Sequence, residues 1–264
     1  MVRWSITKNW LLLNSIKTHL KKNKITILIE IIFLFFGGTG LSQNNMVPNG
    51  SFELYSICPN PGPGQIDYTI PWFQPNFPYA GAGGSSDVYN TCSGNVPFFT
   101  TFQYPRTGNG YAGIAMFFDT VSFNIDKWRE YIEVGLTDSL KSNKKYCVRF
   151  YTNKGNWSSY AVKNIQAVLT KDSLLYNDPD YTYIGSVTPI LEADNVITDT
   201  LNWTMLQTTY TALGGEKFLT IGNFSSGVNT VYSYVWPFGS SPNTLGYYLI
   251  DDVSIYEQPD VMAG

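Results

Sequence analysis

The sequence predicts an all-β fold, namely a single antiparallel β-sandwich of the jelly-roll type. Short segments in which apolar and polar residues alternate recur along the chain, and clusters of Gly, Pro, Asn and Ser separate them. This pattern is typical of strands joined by turns. The composition agrees, because 44% of the residues are hydrophobic, 16% are aromatic and only 14% are charged. A disordered chain would have low hydrophobicity and high charge.

The individual strands follow from the alternation. Within Arg129–Leu136, for example, Ile132 and Val134 fall on one face of a strand and Glu133 on the other. The predicted strands are, in chain order, Val47–Tyr55, Tyr111–Phe118, Arg129–Leu136, Tyr146–Thr152, Ile165–Leu169, Tyr181–Thr188, Trp203–Tyr210, Phe218–Phe224 and Tyr247–Tyr256. Residues 59–109 are rich in Gly, Pro and aromatic side chains, which predicts long loops at one end of the sandwich.

Residues 1–42 differ from the rest of the chain. They carry six basic residues and one acid, Glu30, and the apolar run Ile25–Phe36 precedes small residues at Gly40 and Ser42. This order is typical of a cleaved secretory signal peptide. The alternative is a membrane anchor, but the run is shorter than the ~20 residues of a spanning helix and contains an acid. We therefore expect a single secreted domain, residues 43–264, without a membrane-spanning helix.

Removal of the leader changes the charge of the protein. Residues 43–264 contain 11 basic and 19 acidic residues, a formal net charge of −8, and the one histidine, His19, lies in the leader. An acidic chain is a poor partner for nucleic acid, because phosphate contacts need clustered Lys and Arg. A domain without histidine also has no imidazole for a Ser-His-Asp triad or for a metal site.

Three cysteines remain after the leader. Cys58 and Cys92 lie in the predicted loops, where an exported protein could join them, whereas Cys147 lies in a predicted strand. Connectivity does not follow from sequence alone. We predict a Cys58–Cys92 disulfide and a buried thiol at Cys147.

Two end motifs carry a family resemblance. The segments VPNGSFE at residues 47–53 and YLIDDVSI at residues 248–255 resemble the ends of secreted jelly-roll domains of the galactose-binding-like class, which includes many carbohydrate-binding modules. With PRTGNGYAGI, REYIEVGL, KKYCVRFY and LTIGNF between them, the ordered set resembles a domain of secreted and surface proteins of gliding-type Gram-negative bacteria. The resemblance covers residues 44–257. It implies an extracellular or outer-surface location and a polysaccharide or cell-surface glycan as partner. It also implies a surface-sorting or anchoring partner, because such a module often follows that domain.

The resemblance further suggests a structural calcium ion. In related modules, carboxylates placed like Glu53, Asp251 and Asp252 hold Ca²⁺, which prefers six to eight oxygen ligands. Asp251 is in phase with apolar residues of the last strand, so its side chain should point inward and needs a cation or strong donors. The alternative is that an arginine or backbone N–H groups satisfy it and that Glu53 is merely exposed.

Aromatic residues in the predicted loops are the candidate ligand contacts. Trp72, Trp157 and Trp236 are the predicted exposed platforms, with Tyr160 nearby, and clustered surface aromatics often mark an interaction site. Arg106 could donate bidentate hydrogen bonds to a ligand, or it could pin its loop to a carboxylate. The alternative for most of these aromatics is a small core beneath the loops.

These observations predict a non-catalytic secreted or cell-surface binding module, carbohydrate-binding or adhesive. One alternative is a structural or protein-interaction β-sandwich domain without a glycan ligand. A jelly-roll polysaccharide hydrolase is the third candidate, and it would need two carboxylates about 5–10 Å apart across a cleft. Glu130 and Glu133 face opposite sides of one predicted strand, which indicates solvated charges rather than such a pair.

Overall fold

A computed structural model describes residues 44–60, 64–76, 85–94, 96, 102–119, 129–175, 184–236 and 243–259. Asn44–Gly264 form one compact unit. The predicted signal peptide lies outside the described residues and stays a prediction. Across the described ranges, no helix has the length and apolarity to cross a membrane.

The described residues form eleven strands in three antiparallel sheets. The strands are β1 (Asp87–Asn90), β2 (Gly110–Phe118), β3 (Ile132–Gly135), β4 (Lys145–Lys154), β5 (Tyr160–Val162), β6 (Gln166–Thr170), β7 (Leu191–Glu192), β8 (Thr204–Thr211), β9 (Phe218–Gly222), β10 (Tyr232–Tyr234) and β11 (Leu245–Glu257). The sheet orders are β1-β2-β11-β4-β8, β3-β9-β6-β7 and β10-β5. Every pairing in these sheets is antiparallel. The all-β prediction is confirmed.

The main hydrophobic core lies between the five-stranded and the four-stranded sheet. It joins Val148 and Ile250 of the larger sheet with Val134, Ala167 and Ile221 of the smaller one. The core forms there because alternate residues of a strand point to the same side, as β4 shows: its first eight residues alternate between exposed or half-buried and buried positions. One face of each sheet therefore packs inward, which makes a β-sandwich.

The outer face of the five-stranded sheet is also partly covered. Tyr111 and Leu249 are buried there in a second cluster, and the chain around Gln103 lies across them. The Tyr111 hydroxyl donates to the Gln103 carbonyl at 3.2 Å, and the Trp203 indole N–H donates to the Tyr104 carbonyl at 3.2 Å. Part of the predicted loop segment 59–109 thus acts as a cover for this sheet.

Three local predictions are wrong. Residues 184–188, which are the described part of the predicted strand Tyr181–Thr188, form no strand. Val47–Tyr55 is not a strand: Asn49 and Phe52 have φ of 50° and 57°, so the chain turns there, and only Tyr55 makes a bridge, to Thr69. The loop segment 59–109 contains strand β1, whose four residues are all buried. Its alternation was hidden because both faces of β1 are covered, so polar and apolar positions do not separate.

The cysteines follow the predicted pairing. Cys58 and Cys92 form a disulfide, with 6.1 Å between their Cα atoms. It joins the segment after the first turn to the residues directly after β1. Cys147 is free, as predicted, but it is half-buried rather than buried, because it lies on the outward-facing side of β4 with Arg149 and Tyr151.

Candidate functional site

A two-stranded ribbon carries a row of aromatic side chains. Strand β5 pairs with β10 so that Tyr160 lies opposite Tyr234 and Val162 opposite Tyr232. The pairing continues beyond β10, because the Val235 N–H donates to the Ser159 carbonyl at 2.7 Å. Alternate residues of an extended chain project to the same side. Tyr232, Tyr234 and Trp236 are therefore in phase, and we call these three residues with Tyr160 the aromatic ribbon.

Three side chains of the aromatic ribbon are exposed to solvent. Relative exposures are 47% for Tyr232, 49% for Tyr234 and 74% for Trp236. A large aromatic side chain left in water gives up the free energy that burial would provide. Three in one row form an apolar surface of the kind that marks a binding site.

The aromatic ribbon is also fixed from below. The Tyr160 ring contacts the rings of Tyr232 and Tyr234 edge-on, each with centroids 5.6 Å apart. The buried Phe117 ring of β2 stacks on Tyr232 at 4.5 Å. The Tyr160 hydroxyl donates a hydrogen bond to Asp119, and this bond, with partial burial, raises the pKa of Tyr160 to about 12. These contacts hold the rings in place before any ligand binds.

Trp157 lies next to the aromatic ribbon in the turn between β4 and β5. It is half-buried, and its carbonyl accepts a hydrogen bond from the Asn243 side chain at 2.6 Å. Continuing the β5–β10 register places Trp236 opposite Ser158, beside Trp157. The buried Lys154 ammonium donates to the Ser158 carbonyl, and burial lowers the pKa of Lys154 to about 8. Trp157, Tyr160 and Trp236 are therefore brought to one region, whereas the other predicted residues lie elsewhere.

The prediction of Trp72 as an exposed platform is wrong. Trp72 is only 2% exposed and belongs to the main core, where its ring packs against Phe52 with centroids 4.9 Å apart. Its indole N–H donates to the Asn49 carbonyl at 2.9 Å. The positive φ of Asn49 and Phe52 turns this segment back over the indole. Trp72 therefore stabilises the N-terminal turn and is not available to a ligand.

Arg106 and Asp252 form an ion pair, which is the second alternative that the sequence left open. The Arg106 guanidinium donates to Asp252 and lies 3.5 Å from the centroid of the Tyr151 ring. The Thr107 hydroxyl donates to the same carboxylate at 2.6 Å. Asp252 is accessible to both because the β11–β4 register shifts between Asp251 and Ser254, and a bulge re-aims a side chain.

Asp251 and Glu53 accept hydrogen bonds from backbone N–H groups. Asp251 is fully buried and accepts from Arg106 at 2.7 Å, and Glu53 accepts from Asn109 at 2.7 Å and from Gly110 at 3.0 Å. Burial first, and then the charge of Asp252, raise the pKa of Asp251 to about 8. Among the described residues no three acidic, His or Cys side chains are grouped to hold a metal ion. Backbone N–H groups satisfy Asp251, which is one of the alternatives, but Glu53 is hydrogen-bonded rather than merely exposed. Calcium at Glu53, Asp251 and Asp252 stays a prediction.

A buried pair of carboxyl groups was missed by the sequence analysis. Burial, and then the charge of Glu130, raise the pKa of Asp87 to about 8. Both Asp87 oxygens accept hydrogen bonds, one from the Tyr247 hydroxyl at 2.6 Å. The two Glu130 oxygens accept from Ser85 and from the Ala115 N–H, each at 2.7 Å. These oxygens lie beneath the surface with protein donors, so the pair does not present catalytic carboxylates to a cleft.

The prediction of solvated charges at Glu130 and Glu133 is therefore wrong. Glu133 is fully buried and accepts hydrogen bonds from the hydroxyls of Ser173 and Thr220. Burial raises the pKa of both glutamates. Ser173 and, from β9, Thr220 contact the Glu133 carboxylate, and Ser85 contacts that of Glu130.

Tyr232 and Tyr234 are the site residues that the sequence analysis did not select. The signal was present in YSYVW, residues 232–236, where an aromatic side chain occupies every second position. A short strand with this alternation places all three rings on one side. Strand pairing with β5 was not visible, because β5 has only three residues.

Comparison with known proteins gives fold-level neighbours. No protein-family model and no curated protein matches this chain. The xylanase 10B CBM22-1–GH10 modules of Clostridium thermocellum are 11% identical with a TM-score of 0.41, over 84% of this chain and 30% of that one. The K1 cleaved adhesin domain of Lys-gingipain from Porphyromonas gingivalis is 15% identical with a TM-score of 0.39, over 79% and 96%. The CBM22-1 xylan-binding domain of Paenibacillus barcinonensis Xyn10C is 13% identical with a TM-score of 0.39, over 81% and 95%.

This chain thus spans under a third of the xylanase modules and most of the other two domains. With identities and TM-scores this low, the comparison decides neither ligand nor partner.

Proposed function

We propose that this protein is a non-catalytic carbohydrate-binding module, which binds a glycan on the aromatic ribbon. The observation that carries the proposal is the row of Tyr232, Tyr234 and Trp236, exposed on one side of a short strand and supported by Phe117 and Tyr160. Aromatic rings offer flat apolar faces, and sugar rings present C–H groups that pack on such faces. The secreted or outer-surface location and the anchoring partner belong to the same proposal.

The length of the row fits an oligosaccharide rather than a single sugar. Residues two apart on a strand lie roughly 6.6 Å apart, so Tyr232 and Trp236 are separated by roughly 13 Å. A polar group lies in the same region, namely the Asp119 carboxylate, which accepts a hydrogen bond from the Tyr160 hydroxyl. A glycan needs both, because its ring faces are apolar and its hydroxyls need hydrogen-bond partners.

Preorganisation separates this site from the apolar patches elsewhere on the surface. The rings of Tyr160, Tyr232 and Tyr234 contact one another, so their rotamers are already restricted. Ordering side chains on binding costs about 0.5–1.5 kcal/mol for each flexible side chain. A ring that is already held in place avoids much of this cost. The saving matters for a sugar, because each contact with a sugar contributes little binding free energy.

A glycan array with residues 43–264 tests the proposal. We expect binding to at least one polysaccharide, and we expect Tyr234→Ala and Trp236→Ala to abolish or strongly weaken it. Tyr104→Ala is the matched control, because Tyr104 is 60% exposed but lies outside the aromatic ribbon. Equal loss in all three variants would contradict the assignment. Silence across plant, algal and bacterial glycans would favour the structural or protein-interaction alternative.

A further inference from the structure

A pocket, separate from the aromatic ribbon, lies at the other end of β11. The start of β11, Leu245, pairs with Phe118 beside the ribbon, whereas the pocket is lined by its later residues Asp252 and Tyr256. Its volume is about 410 Å³, and its lining also includes Arg106, Arg149 and Tyr151. We call it the arginine pocket.

The charge of the arginine pocket is unusual for this protein. Residues 43–264 carry a formal net charge of −8 and contain three arginines. Arg129 is fully buried, and the other two, Arg106 and Arg149, both line this pocket. Two arginines in one pocket of an acidic chain form a local positive site.

Only one of these two arginines is neutralised. Arg106 pairs with Asp252 and stacks on the Tyr151 ring, so its charge already has a partner. Within the described ranges, Arg149 has no carboxylate partner, and its Nε atom is buried without a hydrogen-bond acceptor. A buried donor left unpaired costs about 1–3 kcal/mol, more for a charged group.

The position of Arg149 is fixed by the sheet. It lies in the middle of β4, opposite Ser254 of β11 and Gln207 of β8, and Tyr151 projects from the same face two residues later. Tyr256 lies on that face of β11. Arg149, Tyr151 and Tyr256 therefore lie on the same face of the sheet and line one pocket.

We propose that the arginine pocket binds the carboxylate of an acidic sugar, with Arg149 as its main contact. The terminal N–H groups of the planar Arg149 guanidinium are donors of the kind that pair with the two oxygens of a carboxylate. Tyr256 lines the same pocket, and its ring can pack on the sugar ring, whereas the Tyr151 ring is already stacked with Arg106. That the carboxylate belongs to a sugar rests on the proposed function, whereas the preference for an anion rests on the pocket alone.

Titration with free uronates, followed by nuclear magnetic resonance of the arginine Nε–H groups, tests this inference. D-galacturonate and D-glucuronate are the probes, their uncharged methyl esters are the matched controls, and sodium sulfate tests for a different anion. We expect a saturable shift of the Arg149 Nε–H signal with at least one uronate and none with its methyl ester. No saturable shift with either uronate, equal shifts with the ester, or a response to sulfate alone would overturn the proposal.

Variants supply a second readout. Arg149→Gln should weaken uronate binding by about tenfold or more, the value of a charge-assisted hydrogen-bond pair. Lys217→Gln removes the same charge from an exposed position directly before β9 and should leave the affinity unchanged. The Arg149 Nε–H signal reports on the arginine pocket and the glycan array reports on the aromatic ribbon, so a failure of one is read separately from a failure of the other. Equal weakening by Arg149→Gln and Lys217→Gln would reduce the effect to net charge and contradict the site.

Discussion

Trp72 and Trp236 allow the same chemical change to be made at a buried and at an exposed position. Trp72→Phe removes roughly 40 Å² of buried apolar surface, about 1 kcal/mol at ~25 cal/mol per Å². The space left behind adds about 1 kcal/mol. The lost hydrogen bond to the Asn49 carbonyl adds about 1 kcal/mol more. We expect the free energy of unfolding to fall by about 3 kcal/mol and the melting temperature by ~6–12 °C.

Trp236→Phe is the matched control for stability. Trp236 is 74% exposed, so we expect its free energy of unfolding to change by less than about 0.5 kcal/mol. Thermal unfolding followed by circular dichroism measures both variants, and the glycan array measures their binding. Trp72→Phe should leave binding unchanged at a temperature where it is folded. A melting temperature of Trp72→Phe within about 2 °C of the parent, or a selective loss of binding in it, would refute the buried role.

Three further outcomes follow from the buried acids, the disulfide and the hydrogen-bonded carboxylates. The raised pKa of about 8 for Asp87 and Asp251 means that the folded state keeps protons that the unfolded chain releases above about pH 4. The free energy of unfolding should therefore fall by on the order of a few kcal/mol from pH 4 to pH 8, and Asp87→Asn should reduce that fall. Chemical denaturation across this range measures it, and a stability that rises with pH would contradict it. Cys58→Ser removes a disulfide between residues 34 apart in sequence and should lower the free energy of unfolding by up to about 4 kcal/mol. Cys147→Ser should change it little, and thermal unfolding measures both variants. Calcium at Glu53, Asp251 and Asp252 predicts a melting temperature that EDTA lowers and added Ca²⁺ restores, whereas an unchanged one would show that the N–H donors on Glu53 and Asp251 suffice.

The strands of the sandwich were predictable because their alternation survives in the sequence. β4, β8 and β11 lie at or within a few residues of the predicted bounds, since each has one face against the core. The strand prediction for residues 47–55 is wrong because the apolar residues of this segment, including Val47 and Phe52, are buried by a turn rather than by a strand. Apolar spacing alone does not distinguish the two over so short a stretch.

The site was predictable only in part, because covering loops decide which side chains reach solvent. Trp72 and Trp236 both lie in sequence rich in turn residues, yet one is buried against Phe52 and the other is exposed. Glu133 looks like a surface charge until Ser173 and Thr220 are brought over it. Such contacts join residues far apart in the chain, so no local pattern contains them.

A crystal structure with the strongest-binding oligosaccharide from the array tests the central claim most directly. The aromatic ribbon predicts sugar rings packed on Tyr234 and Trp236, with van der Waals contact between the sugar C–H groups and the aromatic faces. The measured quantity is the distance between each sugar ring and the nearest aromatic ring. A ligand bound with Tyr232, Tyr234 and Trp236 all left in solvent would contradict the account.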